Sequence, residues 1–335
     1  MGARCIASTD MEYSVNIESI NAAAARCTNN PTILTIWVGV KLGHYPCPTD
    51  ALHRAAPSVI FAAAMPKDES AAKAMPPLLG PDDPPAFTVE GAERSGDCLF
   101  LCDHASAAVP RTLGTLGLPE SELARHIAFD NGAADAARLL ARRFDSPLVM
   151  TGYSRLVIDC NRALDDPTSV PLIGETTVVP GNRDLDGAER ARRAAALFEP
   201  YHRKIASLLD VFAARGVVPA VLSIHSFTPI YRGVARPWHL GILWNRDPRL
   251  PRPLIAALER VPGIAVGDNL PYSGRDEYGY TTDAHGTKRG FPHVLIEFRD
   301  DLVRAPGDLA RWTAIVGDAL APILADGSLR QIERF

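Results

Sequence analysis

Asp97–Pro110 reads DCLFLCDHASAAVP, and the fold is decided here. The apolar run Cys98–Cys102 reads as a buried strand, and it stops at Asp103-His104-Ala105-Ser106. In open α/β sheets ligands sit outside the carboxyl ends of strands, so His104 stands where chemistry is expected. Two later stretches repeat the layout. Pro219–His225 (PAVLSIH) is a β-rich apolar run ending in His225-Ser226, and His293–Glu297 (HVLIE) is another that delivers Glu297.

Working outward, strands and helices alternate from Phe87 to the C terminus. Pro119-Glu120-Ser121-Glu122 opens a helical stretch with acidic residues at its favourable end. Asp130-Asn131-Gly132 precedes the helix AADAARLLARRF, whose apolar residues recur every three or four positions. Pro147–Met150 reads as a short strand and Ser154–Cys160 (SRLVIDC) as another with alternating faces. A Gly/Pro/Asn/Asp loop, Gly174–Asp186, leads into a long helix, Ala188–Arg215, bent near Pro200. The His225 strand, the strand His239–Asn245 and the helix Pro253–Val261 follow. The loop Asn269–Gly290 then leads to the Glu297 strand and a closing helix, Asp308–Leu324. Strands separated by helices predict an α/β fold: a mostly parallel central sheet flanked by helices on both faces. There is no internal repeat and no Gly-rich phosphate loop.

The N-terminal part reads differently. Before Pro84 no hydrophobic period is sustained, and Met75–Phe87 is Pro-rich (MPPLLGPDDPPAF). Residues 1–83 are therefore expected to form a poorly structured extension and linker, and 84–335 the functional domain. Met65 and Met75 are alternative starts for the organised part; a small capping subdomain is the competing reading.

Composition narrows the function. With 335 residues, 47% of them apolar, the chain can bury a sizeable core in one large domain or two smaller ones. A net charge of −4 and a pI near 6.1 give no electrostatic reason to expect nucleic acid or an anionic membrane. Ile33–Val40 falls far short of the ~20 apolar residues of a membrane helix, starts too late for a signal peptide and lacks its basic head. The six cysteines show no CxxC pair and no secreted spacing, which points to a reducing cytoplasm.

A catalytic zinc takes three protein ligands from His and Asp/Glu and leaves a fourth position to water, whose proton a nearby carboxylate relays. His104 and His225 suit as ligands and Glu297 as the proton carrier. Alone, each histidine also reads as a hydrogen-bonded strand-end residue, and Glu297 as a partner of Arg299 or Arg289; three such residues at three strand ends favour the site. Ala107 stands where a His-x-x-Glu motif would place its acid, so Asp130 is the preferred third ligand, with helix N-cap as its other reading. His126 and Asp103 are the alternatives. Arg155, Asn161 and Arg162 frame SRLVIDCNR and would hold a carboxylate bidentately; the competing reading pairs them with Asp159, Asp165 or Asp166. Ser226, beside His225, joins the substrate side. Ser106 or Ser226 as nucleophile lacks the G-x-S-x-G elbow. Asn269–Gly290, with Tyr272, Tyr278 and His285, is a rim, a lid or a plain surface loop.

As a set, CDHASAAVP, HIAFDNGA, YSRLVIDCNR, PYHRKI, SIHSFTP, NLPYS and LIEFRDDL resemble the N-formylglutamate amidohydrolase family, in that order, from about Phe87 onward. The resemblance implies a zinc-carboxypeptidase-like fold and a zinc-dependent hydrolase that removes an acyl group, formyl in the named case, from the nitrogen of a small acidic amino acid. It places His104 and His225 on the metal, Glu297 as the base, and Arg155, Asn161 and Arg162 on the substrate carboxylate. Asp130 falls in a shared block. The CDHAS form departs from a PHSG-like form, which leaves the acyl-amino-acid substrate open. A catalytically silent protein that binds a small acidic metabolite through the arginines is the alternative from another class.

Overall fold

In the computed structural model, which describes residues 76–275 and 279–335, the opening stretch is a strand with the expected limits. In chain order the strands of the main sheet are β1 (Phe87–Glu90), β2 (Cys98–Cys102), β3 (Leu148–Thr151), β4 (Ala220–Phe227), β5 (Leu240–Leu243), β6 (Val266–Asp268) and β7 (His293–Arg299). They lie in the order β1-β3-β2-β4-β7-β5-β6. The four central strands β3, β2, β4 and β7 are mutually parallel. β1 runs antiparallel to β3, and β5 antiparallel to β7 but parallel to β6. The sheet is therefore mixed and mostly parallel, and helices cover both faces.

Side-chain alternation in β2 sorts the two cores. Cys98, Phe100 and Cys102 face the helices α1 (Ala133–Arg143), α4 (Pro251–Glu259) and α6 (Pro306–Leu324). Leu99 and Leu101 face α3 (Glu199–Ala214), which follows the short helix α2 (Gly187–Arg193) in the chain. A strand buried on both faces has no polar side to show, which is why it reads as a continuous apolar run. α1 buries Ala133, Ala136, Ala137, Leu140 and Ala141, the three-four spacing of one helical face. Small side chains there let the helix lie close on the sheet.

Several expected elements change. Glu120–Leu123 is a single helical turn. The long helix before β4 is interrupted by a π-helical turn, Ala194–Phe198, immediately ahead of Pro200, whose missing N–H cannot join the regular ladder. Ser154–Cys160 is not a strand. Leu156, Val157 and Ile158 are all buried instead of alternating. The Ser154 hydroxyl donates to the Ala128 carbonyl (2.8 Å) and accepts from Leu156 N (3.1 Å), and Asp159 Oδ1 accepts from Asn161 N (2.8 Å). Such local side-chain bonds offer the backbone an alternative to a sheet ladder. Asn269–Gly290 is not a plain loop either, since it contains α5 (Tyr280–His285) and a 3-10 turn at Thr287–Arg289; Tyr278 lies outside the described residues.

Residues 76–83, expected as linker, lie against the domain. Leu78 is buried in the α3-side core, Thr112 Oγ1 donates to its carbonyl (2.8 Å), and Arg111 N donates to Asp83 Oδ1 (3.0 Å). The rest of the expected 1–83 extension, with Ile33–Val40, Met65, Met75, Cys5, Cys27 and Cys47, lies outside the described residues. Cys98, Cys102 and Cys160 are buried free thiols. Among the described residues no helix is long and apolar enough to cross a membrane.

Candidate metal centre and active site

The site grows out of the face that α3 covers. Along β2, Leu99 and Leu101 point to that face, and Asp103, next in the period of two, continues the line just past the strand. Along β4, Val221 is followed by Ser223, His225 and Phe227. Glu297 on β7 is the register partner of His225, so the two side chains stand side by side on one face. Neither residue closes its strand: β4 runs on to Phe227 and β7 to Arg299. The apolar row toward the amino end of these strands thus becomes a polar row toward their carboxyl ends.

His104 follows Asp103 in the turn after β2, and Asp130 is brought beside it by the backbone, where Asp130 N donates to the His104 carbonyl (2.9 Å). Asp130 is not the cap of α1. Gly132 occupies that position with φ +75, and a Cβ there would meet the Val303 carbonyl oxygen at 2.4 Å. The Asp130 carboxylate instead lies 2.9 Å from His225 Nδ1 and accepts from Ser226 N (3.2 Å), and the Arg155 guanidinium lies against it. His104 Nδ1 sits 3.4 Å from Asp130 Oδ2, and the two imidazoles cross edge to face with centroids 4.9 Å apart. One ligand atom from each of His104, Asp130 and His225 falls within 4.8 Å of the others.

The far side of each imidazole is held by a carboxylate. His104 Nε2 donates to Asp159 Oδ1 (2.7 Å), and His225 Nε2 donates to Asp103 Oδ2 (3.1 Å). Asp103 also accepts from Ser223 Oγ (3.1 Å), Tyr201 OH (2.8 Å) and Thr281 Oγ1 (2.8 Å). Metal-ligating histidines almost always use their second nitrogen this way, which fixes the ring and makes the ligand nitrogen more basic. His104 Nδ1 is buried and has no hydrogen-bond partner, the state expected of a nitrogen reserved for a cation. Burial, then the charge of Arg155, outweigh Asp159 and push the His104 imidazole down to about 4, so it is neutral and its lone pair is available. Burial alone would raise the Asp103 carboxyl; the hydrogen bond and charge of His225 reverse this and hold it below the usual range. Two imidazoles and a carboxylate, braced from behind, suit a divalent metal of the zinc type.

Glu297 completes the cluster. It is buried, its Oε2 has no hydrogen-bond partner, and burial raises its carboxyl above the ordinary value against the nearby positive charges.

Of the other candidates, Asp103 stands behind His225 as its support, and His126 Nε2 reaches only Asp130 Oδ1, at 3.6 Å. Asn161 is buried; its Oδ1 accepts from Thr281 N (3.0 Å) and its carbonyl from Tyr280 N (3.3 Å), which pins α5 to the site. The Ser226 hydroxyl donates to the Asn131 carbonyl (2.8 Å), so this side chain braces the loop that carries Asp130. His285 stacks on His202 and is not part of the His104, Asp130 and His225 group. Asp159, Tyr201, Thr281 and Ser223 escaped the sequence as supports. Asp159 and Tyr201 lie in quoted blocks, two residues from Asn161 and inside PYHRKI; Thr281 gave no signal.

The model of the N-formylglutamate amidohydrolase family matches residues 96–304, which hold every residue of the cluster. The chain belongs to that family. It is accordingly a hydrolase of amide bonds. A crystal structure of a gene product from Agrobacterium tumefaciens is similar at 38% identity and a TM-score of 0.72, over 74% of this chain and 98% of that one. An N-formylglutamate amidohydrolase from Ralstonia eutropha JMP134 shares the fold at 20% identity and a TM-score of 0.53, over 71% of this chain and 96% of that one. No curated protein matches the chain in sequence.

Within this amidohydrolase fold, Asp159→Asn removes the charge that orients His104 while keeping an oxygen for Asn161 N. It is expected to weaken affinity for a divalent metal about 10- to 100-fold, read by competition against a chelator of known affinity.

Proposed function

We propose that this amidohydrolase holds one zinc on His104, Asp130 and His225 and removes the N-acyl group of a small acidic N-acyl amino acid. With N-formyl-L-glutamate the products are formate and glutamate. The observation that supports this best is that His104 Nδ1, whose ring packs against His225, and Glu297 Oε2, on the residue paired with His225, are both buried and unpartnered. A protein that only bound an acidic metabolite has no use for either. When bound, zinc supplies a Lewis acid that lowers the pKa of water.

The chain's own residues do the rest. Glu297 takes the proton of the attacking water through its free oxygen as the water oxygen bonds to the acyl carbon. Glu297 then returns that proton to the amide nitrogen, and the C–N bond breaks to release the amine. Asp159 and Asp103 hold the two imidazoles in the tautomer that leaves their Nδ1 atoms facing Asp130. Arg155 and Arg162, with Asn161, bind the carboxylate on the substrate's α-carbon, the fork of a guanidinium matching two carboxylate oxygens. A cytoplasmic setting is proposed with it, in keeping with three buried free thiols.

The test is direct. The purified protein should hold about one zinc per chain. Incubated with a panel of N-acyl amino acids, it should release free amine, and chelation should stop that release. A protein without zinc that releases no amine when zinc is supplied is the silent binder.

A further inference from the structure

Arg236 has no role in the cluster described above, and its surroundings are unlike those of the other buried arginines. It is only 8% exposed. Its guanidinium lies over the rings of Tyr231 (4.5 Å), Tyr272 (4.8 Å) and Phe227 (5.9 Å). Its hydrogen bonds to the Thr228 carbonyl and hydroxyl are both 3.4 Å long, at the edge of what counts as a bond. Among the described residues no carboxylate is within ion-pair distance of it. Arg193, also buried, has Glu189 at 2.9 Å, and Arg155 has Asp130. Aromatic faces attract a guanidinium, and the Tyr272 hydroxyl also reaches it, but neither supplies the full charge of an anion. A buried cation left in this state is costly unless an anion arrives.

Position supplies the anion. Phe227 lies two residues beyond His225 on β4, so its ring stands on the same face as the His225 imidazole, and Arg236 covers that ring. Tyr272 is brought to this face by the turn at Asn269–Pro271. Gly241 is the register partner of Glu297, and a Cβ there would meet the Leu270 carbonyl oxygen at 2.5 Å and Glu297 Cβ at 3.2 Å. Gly267 makes the same room, with Leu270 O at 2.4 Å. The chain therefore passes over Gly241, beside Glu297, and then presents Tyr272 to Arg236. The charge of Arg236 is felt at both Glu297 and His126.

We infer that Arg236 is the specificity-determining residue of this site: it takes the side-chain carboxylate of an acidic N-acyl amino acid, while Arg155, Asn161 and Arg162 take the α-carboxylate. The inference rests on the function proposed above and deepens it. An acidic side chain satisfies the guanidinium in its plane and leaves the aromatic faces in place above and below. A neutral amide of the same shape brings one acceptor and a clashing donor.

The experiment compares N-formyl-L-glutamate with N-formyl-L-glutamine on the zinc-loaded full chain. The wild type should favour the glutamate compound in kcat/KM by about ten- to a hundredfold. Arg236→Met should bring that ratio near one through loss on the glutamate compound. Arg236→Lys, which keeps the charge without the fork, should restore part of it. Calorimetric binding of N-acetyl-L-glutamate against N-acetyl-L-glutamine, wild type against Arg236→Met, reads the same preference without turnover. An unfolded Arg236→Met leaves the wild-type ratio and Arg236→Lys to decide. Equal wild-type values for the two compounds, or an unchanged ratio in Arg236→Met, overturn the inference. Preferential binding of the glutamate compound by a protein that hydrolyses neither sinks the proposed reaction and keeps Arg236.

Discussion

Replacing Glu297 by glutamine is expected to lower kcat by about 10²–10⁴-fold, the usual worth of a positioned acid-base group, with little change in KM. Glutamine has the shape of glutamate and cannot hold the proton, so packing is preserved and the transfer is lost. The surroundings argue that the carboxylate is used and not merely tolerated. Glu297 stands beside His225 in register, is buried, and keeps Oε2 without a partner where a structural acid would have found one. Arg299 and Arg289, its expected alternative partners, are engaged elsewhere, with Asp301 (2.8 Å) and Asp210 (3.2 Å). Burial raises its carboxyl above the ordinary value, which makes it a stronger base than a solvated acid. Steady-state release of amine from N-formyl-L-glutamate measures the effect. A loss smaller than about threefold would remove Glu297 from proton transfer.

Which parts of this site could be read before folding follows from where each residue gets its constraint. Cys98–Cys102 was legible to the residue because burial on both faces leaves only apolar choices, and a run of that length fits a strand. His104, His225 and Glu297 stood out for the same reason: each interrupts or ends an apolar run whose neighbours are dictated by the sheet. Asp130 was harder. In sequence it looks like a helix cap, and only the left-handed Gly132 with its close approach to Val303 shows that the cap lies elsewhere. Ser154–Cys160 misled because an alternating pattern says nothing of side chains that bond to their own backbone, as Ser154 and Asp159 do. Asp159 and Thr281 act through contacts 55 and 178 residues away in the chain, and no local period encodes such contacts. The ladder was written in the sequence; its bracing was written in three dimensions.

His104→Gln should take bound zinc from about one per chain to less than about a tenth and abolish amine release, because two of three protein ligands rarely hold the ion. His104 is the better choice than His225 for this measurement. Removing His225 takes away a contact of both Asp103 and Asp130, two buried carboxylates, and so confuses folding with metal loss. Removing His104 leaves Asp159 still accepting from Asn161 N, and Asp130 still paired with His225 and Arg155. Elemental analysis gives the stoichiometry, and thermal unfolding with and without added zinc gives an independent readout, since a ligand that binds the folded state raises the melting temperature. The wild type and Glu297→Gln should both gain stability from zinc, and His104→Gln should not. The pair of variants therefore separates holding the metal from moving the proton: one inactive protein keeps its zinc and the other has none. A His104→Gln protein that retains full zinc and full activity puts the ion somewhere other than the His104, Asp130 and His225 cluster.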